Sequence, residues 1–502
     1  MDTADYDQDY IAESVAPSQA ASSSGIDKLV KAALLAFIIL MPVVIVLVVP
    51  REFRATAFLA FINCTIVALV LRHLLLKGTL AAMVPVIFLP YFTAGWSIST
   101  LYFAIFYPYQ AYYAVNEGQI EISFFDSGVK VQMVVLVFLL SYLSVVLTAL
   151  RREGTRPEGR IANPLLFTYA ATSIGLGIIF FNALSKILLS EGFFRYVAGA
   201  LFNYFWGLLF ITGAFIKTIP RIVRLLIFSL LGMAVLFYTI GNARGMAIFT
   251  VAMFLFGILF FSAYSKKTKA LIMLCLLVAF PMYVMVSNTT RALTGDIGFK
   301  DFFYRLNLLT EWRSATADKS AVATTLGRLF HMAGHSIVTR TPSDLPYHPL
   351  SPLGFVREMA VSLVPGHISY YTATGLLLDY GFRIIPGVTS VEVSLIGGCW
   401  LLGGWIAIIV GGLAIGFFHW WLIKILQRAS QISKMKAFVY FSVYAPILLW
   451  ATNHQPILYW RIMIYAMVFA FVIYQILRFT IGDPGRDAPS QDNFIVMERE
   501  DV

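Results

Sequence analysis

Arg244, Arg291, Arg305, His335, His367 and Glu392 are the side chains whose types and placement could do chemistry together in this chain. Arg244 lies in Gly241-Asn-Ala-Arg244-Gly245, a very short turn between two apolar runs. A cation held at membrane depth is costly and is by default a functional residue. Arg291 follows the next pair of apolar runs and is expected at the same membrane face. A guanidinium is always charged and grips phosphate oxygens through two parallel hydrogen bonds, so two of them at one face suit a pyrophosphate. Arg305 joins them as a third candidate for the same anion. With Arg313 it flanks Phe302-Phe-Tyr304 and Trp312, which reads either as an interfacial helix or as a surface on which sugars stack. The plainer reading of each arginine is a side chain that snorkels to lipid headgroups.

The proton chemistry rests on histidine and glutamate. His331 and His335 are spaced i, i+4 and would share a helix face, with His348 and His367 further on. HxxxH can bind zinc, but the glutamate of HExxH and a third ligand are missing, so no metal is expected. A histidine near neutral pKa suits general-base work, and the plainer role is a hydrogen-bonded structural ring. Glu392 stands at the edge of an apolar run, either as a second candidate base or as an interfacial carboxylate paired with an arginine. The run Gly397-Gly398-Cys-Trp-Leu-Leu-Gly403-Gly404-Trp405 that follows allows close helix packing or a broken helix.

What must position these groups is a membrane frame. The chain has 502 residues, of which 59% are hydrophobic and 13% charged. Soluble domains carry about a quarter charged residues, so this composition belongs to a polytopic, all-α membrane protein. About twelve spans are expected: nine within residues 29–287 and three within 393–480, with polar tails at 1–28 and 481–502. The first tail has neither a basic n-region nor an apolar h-region, so it is not expected to be a signal peptide. The third span (79–107) and the tenth (395–423) are too long and are interrupted by Gly or Pro, so each is expected to include a re-entrant or interfacial piece. Residues 288–392 form the one long segment of soluble character, rich in aromatic residues and therefore ordered rather than a linker.

The net charge of +10 fits basic loops beside anionic lipid and does not call for nucleic acid as a partner. Arg72 to Lys77, Arg151 to Arg160, Lys217 to Arg224, Lys266 to Lys269 and Lys424 to Lys436 fall on alternate sides of the spans. That pattern places both termini in the cytoplasm and residues 288–392 on the opposite side. Cys64, Cys275 and Cys399 all lie in apolar runs and make no disulfide framework. There is no Walker A, Rossmann or CxxC motif, so no cofactor is expected. The short outer segment Pro50 to Ala55 has no acidic metal-binding pair, unlike lipid-sugar glycosyltransferases of the oligosaccharyltransferase type. The spans hold few acids, which disfavours proton-coupled transport.

Together, Gly241-Asn-Ala-Arg244-Gly245, Arg291 and the pattern Pro386-Gly-Val-Thr389, Glu392, Gly397 to Gly404 resemble bacterial O-antigen and exopolysaccharide polymerases of the Wzy type, relatives of the O-antigen ligases. The resemblance covers roughly residues 197–425. It implies about a dozen spans, one large periplasmic loop and a metal-independent, inverting glycosyltransferase of the bacterial inner membrane. It implies undecaprenyl-pyrophosphate-linked glycans as substrates, with a chain-length regulator and a flippase of the same pathway as partners. It places the family's paired arginines at Arg244 and Arg291. The ligase relatives' base histidine falls at His335 or His367, with Glu392 the other candidate.

Overall fold

The structure is a computed structural model. It describes residues 23–106, 112–113, 121–122, 128–151, 161, 163–188, 193–240, 244–276, 279, 283, 338, 352–361, 363, 394–450 and 456–482. These residues are almost entirely helical. In chain order the helices are α1 (Ser23–Val48), α2 (Arg54–Lys77), α3 (Met83–Thr93), α4 (Ser99–Phe106), α5 (Gly128–Arg151), α6 (Pro164–Leu188) and α7 (Phe193–Phe205). They continue with α8 (Leu209–Ala214), α9 (Arg221–Ile240), α10 (Arg244–Phe261), α11 (Pro352–Val361), α12 (Ser394–Ile432), α13 (Lys434–Trp450) and α14 (Pro456–Ile481). The exception among the described residues is a two-residue antiparallel pair, Tyr112–Tyr113 with Glu121–Ile122.

Nine helical segments among the described residues are long and apolar enough to cross a membrane, which is the build of a multi-pass membrane protein. Met246–Phe261 is apolar but shorter, and α13 has 17 residues. Helix α1 begins at Ser23, six residues ahead of its expected start at 29, because the polar Ser23–Lys28 turn continues the helix beyond the apolar run. Local signals set the helix ends elsewhere. Asn163 Oδ1 accepts the Leu166 amide at 2.9 Å and Pro164 takes the first helical position of α6. Gly78, at φ 62°, ends α2 just after Lys77.

The expected re-entrant piece is seen in the tenth span, whereas the third stays one helical crossing, Met83–Phe106, with only a local widening. Between α3 and α4 the chain widens into a π turn at Ala94–Ile98. In α12 the helix breaks at Gly403 and Gly404, and Gly404 has φ 54° and ψ −135°, a backbone region open to glycine. The two halves then lie side by side. A Cβ built on Gly411 would come within 2.5 Å of Cys399 Sγ, although twelve residues of straight helix would separate them by about 18 Å. Residues 394–400 are buried, and Trp400 meets Trp405 edge-on at 5.4 Å.

Cross-helix contacts fix the directions. A Cβ on Gly128 would touch Thr56, and Lys77 Nζ donates to the Leu150 carbonyl, so α2 and α5 run the same way. Lys130 Nζ lies 4.7 Å over the Trp400 ring, Tyr142 Oη bonds His419 Nδ1 at 2.8 Å, and Lys424 Nζ donates to Ala149 O at 3.2 Å. The second half of α12 is therefore also parallel to α5. Helices α8 and α10 are parallel too: Trp206 meets Phe249 at 5.8 Å, Phe210 meets Phe261 at 5.3 Å, and Lys217 Nζ lies 5.1 Å over Tyr264. After α10, residues 266–276 are helical, and Lys269 lies close to Lys217 at the start of α9. At the other end of α9, Thr239 Oγ1 donates to Tyr283 Oη at 3.1 Å. Lys269 and Tyr283 thus lie at opposite ends of α9.

Small residues let these helices approach at backbone distance. A Cβ on Gly213 would fall 2.0 Å from Phe254 O, and one on Gly257 would fall 2.2 Å from Phe210 O. No side-chain rotation relieves a clash with backbone, so α8 and α10 would have to separate. Gly257→Ala is expected to lower stability by about 1–3 kcal/mol, read as a lower melting temperature in detergent. Gly177→Ala, where nothing lies within 4 Å, serves as the neutral control.

Candidate functional site

Arg244 is the first residue of α10, separated from the end of α9 by residues 241–243. The α9–α10 corner is held from below by a run of aromatic contacts. Tyr238 meets Phe202 at 5.6 Å, Phe202 stacks on Trp206 at 5.9 Å, Trp206 meets Phe249, and Phe249 meets Tyr91 at 6.5 Å. Tyr238 Oη also donates to Ile179 O at 2.9 Å and lies 3.3 Å from Asn182 Oδ1. These contacts tie α3, α6, α7, α9 and α10 together just beneath Arg244, so the packing fixes where its backbone stands. The amides at a helix N-terminus leave partial positive charge there.

Asn182 Nδ2, Trp206 Nε1 and Thr250 Oγ1, in the elements around this corner, are buried without a hydrogen-bond partner among the described residues. Buried polar atoms of that kind ordinarily meet water or a ligand. Arg291, Arg305, His335, His367 and Glu392 lie outside the described residues. So do His331 and His348. Of the expected site residues the structure places only Arg244. Among the described residues, no group of three or more His, Cys, Asp and Glu is arranged to hold a metal ion.

The structure also reveals polar groups that the reading of the chain did not single out. Gln132, fully buried, sits at the centre of a network. Its Oε1 accepts from Asn63 Nδ2 at 3.1 Å and from Ser97 Oγ at 3.0 Å. Its Nε2 donates to Trp96 O at 2.9 Å and lies 3.1 Å from Thr100 Oγ1. The π turn frees a backbone carbonyl from the regular ladder, and Gln132 supplies its partner from α5. Further along α5 and α12, Tyr142 and His419 bond to each other, and Phe88 packs edge-on to the imidazole at 5.0 Å. Both groups lie between helices and pair with protein, which suits a structural role. A polar residue inside an apolar run was the signal that could have found Asn63, Gln132, Asn182 and His419.

No protein-family model, curated protein or solved structure matches this chain.

Replacing Gln132 with Leu would leave Ser97 Oγ without its partner in an apolar interior. It would also take one of two hydrogen bonds each from Asn63 Nδ2, which keeps the residue-132 carbonyl, and from the Trp96 carbonyl, which keeps Thr100 Oγ1. An orphaned group costs about 1–3 kcal/mol. The expected outcome is a sharp fall in the folded fraction of membrane-inserted protein. Gln132→Glu, which keeps an acceptor for Asn63 and Ser97, should be the milder change, and size-exclusion profiles in detergent would rank the two.

Proposed function

We propose that the chain is a polysaccharide polymerase. It joins oligosaccharide units carried on undecaprenyl pyrophosphate at the periplasmic face of a bacterial inner membrane. The observation that carries this reading is the hydrogen bond between Thr239 and Tyr283. Thr239 is five residues before Arg244, and Tyr283 is eight residues before Arg291. Tyr283, the last described residue before Arg291, therefore stands at the same end of α9 as Arg244, which supports a two-pronged grip on a pyrophosphate.

In the proposed reaction a hydroxyl of the acceptor glycan attacks the anomeric carbon of the donor. A carbon–oxygen bond forms there as the bond to the lipid pyrophosphate breaks, with inversion. The hydroxyl proton goes to His335, His367 or Glu392. Arg244 and Arg291, with Arg305 as a third cation, take the charge that develops on the departing pyrophosphate. Pyrophosphate is already a good leaving group, so the chemistry needs no metal or other cofactor. The glycan carrier lipids and the bilayer are the partners, together with a chain-length regulator and a flippase of the same pathway.

The proposed topology has twelve crossings, with both termini in the cytoplasm and residues 288–392 in the periplasm. The parallel run of α5 and α12 supports it, because parallel helices need an odd number of crossings between them. Helix α6, the pair α7 and α8, α9 and α10 make four, and a crossing from Lys269 to Tyr283 makes the fifth. The same parallel set gathers Lys77, Arg151 and Lys424 at one end, as a cytoplasmic face would. Cysteines introduced at Ser320 and Ser430 are expected to react with an impermeant reagent from opposite sides of the membrane. Equal labelling from one side would overturn the topology.

A second reading, a flippase or transporter of lipid-linked sugar, draws on the break in α12, since broken helices line transport sites in many carriers. A ligase that moves glycan onto a lipid A core is the rival within the enzyme class. Incubating the purified protein with one lipid-linked repeat unit separates the three. A ladder of products marks a polymerase, transfer to a lipid A core marks a ligase, and no new product favours the carrier. At matched membrane abundance, Arg244→Lys and Arg291→Lys should each lower chain formation on the order of a hundredfold. Lysine keeps the charge but loses the planar fork that holds the leaving group. Near-normal polymer from both variants would mean that the arginines only anchor the chain to headgroups.

A further inference from the structure

We propose that the end of the bundle where α8 meets α9 and α10 meets residues 266–276 binds the phosphate headgroup of an anionic phospholipid. The inference stands apart from the polymerase reading, since it concerns the opposite end of α9 from Arg244.

The first observation is a set of cations in a stretch of sequence that has no acid. From Gly192 to Gly295 the chain contains no Asp or Glu. Within that stretch Lys217, Arg221, Arg224, Lys267 and Lys269 come to the same end of the bundle. Lys217 and Lys269 lie close enough to repel. Burial first, and then the charge of Lys217, depress the pKa of Lys269 below the ordinary lysine value. Arg224 Nε is buried with no hydrogen-bond partner among the described residues. Among the described residues, the two helices seen to pack on Phe215 add no acid. Phe215 touches Phe167 of α6 at 6.1 Å and Phe438 of α13 at 5.0 Å. Neither α6 nor α13 contains an Asp or Glu. Like charges held together, with no acid beside them among the described residues, favour an external anion.

The second observation says which anion. Each cationic segment runs directly into an exposed apolar flank. On α9, Ile222 is 82% exposed and Leu225 69%. On residues 266–276, Leu271 and Leu274 are each 60% exposed. A free phosphate has no use for that flank. A phospholipid fills both halves, with its headgroup among the cations and its acyl chains along the leucines. The Tyr264 ring under Lys217 adds a cation–π contact that holds one ammonium in place.

The test uses the full-length protein in neutral detergent and counts retained lipid by native mass spectrometry after titration with phosphatidylglycerol, phosphatidylcholine or inorganic phosphate. Phosphatidylglycerol is expected to bind and to raise the melting temperature, whereas phosphatidylcholine and inorganic phosphate leave it unchanged. The double variant Lys217→Ala/Lys269→Ala is expected to bind phosphatidylglycerol roughly thirtyfold more weakly. Lys31→Ala/Arg478→Ala, which removes the same charge elsewhere, should bind as the parent does. Should the double variant fail to accumulate, the single variants Lys217→Ala and Lys269→Ala each carry about a fivefold loss and keep the comparison open. The proposal is overturned if phosphatidylcholine binds as tightly, if inorganic phosphate reproduces the stabilisation, or if the lysine variants bind like the parent.

Discussion

Hydrocarbon offers no hydrogen bonds, so every polar group inside the bilayer must find its partner within the protein. The two irregular stretches of this fold depend on that constraint. The π turn at Ala94–Ile98 takes a carbonyl out of the helical ladder, and the buried amide of Gln132 meets it from a neighbouring helix. The break at Gly403–Gly404 costs ladder bonds as well, and the short half-helix before it is buried against Gly411 rather than exposed to lipid. Irregular backbone is tolerated here because it is enclosed by other helices. The smooth, lipid-facing helix α1, with Leu35, Ile39, Leu40 and Leu47 exposed, has no such irregularity beyond Pro42.

Backbone-close packing imposes a second order on the bundle. Van der Waals contact must do the work that the hydrophobic effect does in water, since lipid is as apolar as leucine. Two of the pairs in backbone-close contact, α8 with α10 and α5 with α12, are parallel and separated in sequence by other helices. Parallel neighbours cannot be joined by a short turn, so each pair encloses intervening crossings and ties remote parts of the chain together. Alignment also brings the ends of like sense together. Lys77, Arg151 and Lys424 gather at one end because α2, α5 and α12 share a direction.

Hydropathy made the frame legible in the sequence, because a span announces itself in its own residues. The glycine run from Gly397 to Gly404 announced the break in α12 for the same local reason. The length of the third span suggested a re-entrant piece, but the helix takes up the irregularity as a π turn within one crossing. Gln132, Asn63 and His419 were not legible as a set, since their partners lie 69 to 277 residues away. Nor does periodicity help in a bilayer, where the face toward lipid and the face toward protein are both apolar. Arg244 was legible through its short turn, and the structure adds that it opens α10. Arg291, Arg305, His335, His367 and Glu392 lie outside the described residues.

Position then gives Arg244 a meaning that composition alone could not. A lysine or arginine that merely anchors a helix does best at the C-terminal end, where the peptide dipoles leave negative charge. Lys77 and Arg151 follow that rule at the ends of α2 and α5. Arg244 stands at the opposite kind of end, where its own helix disfavours it. A headgroup phosphate could offset that penalty, but so could a substrate phosphate, and the two differ in what else must be present. A headgroup anchor needs only lipid-facing surroundings. A substrate site needs a second cation and polar groups beneath it. The Thr239–Tyr283 bond lies beside this corner, and Asn182 and Thr250 have polar atoms without a partner among the described residues around it. Those surroundings are what supports the proposed substrate site over a headgroup anchor.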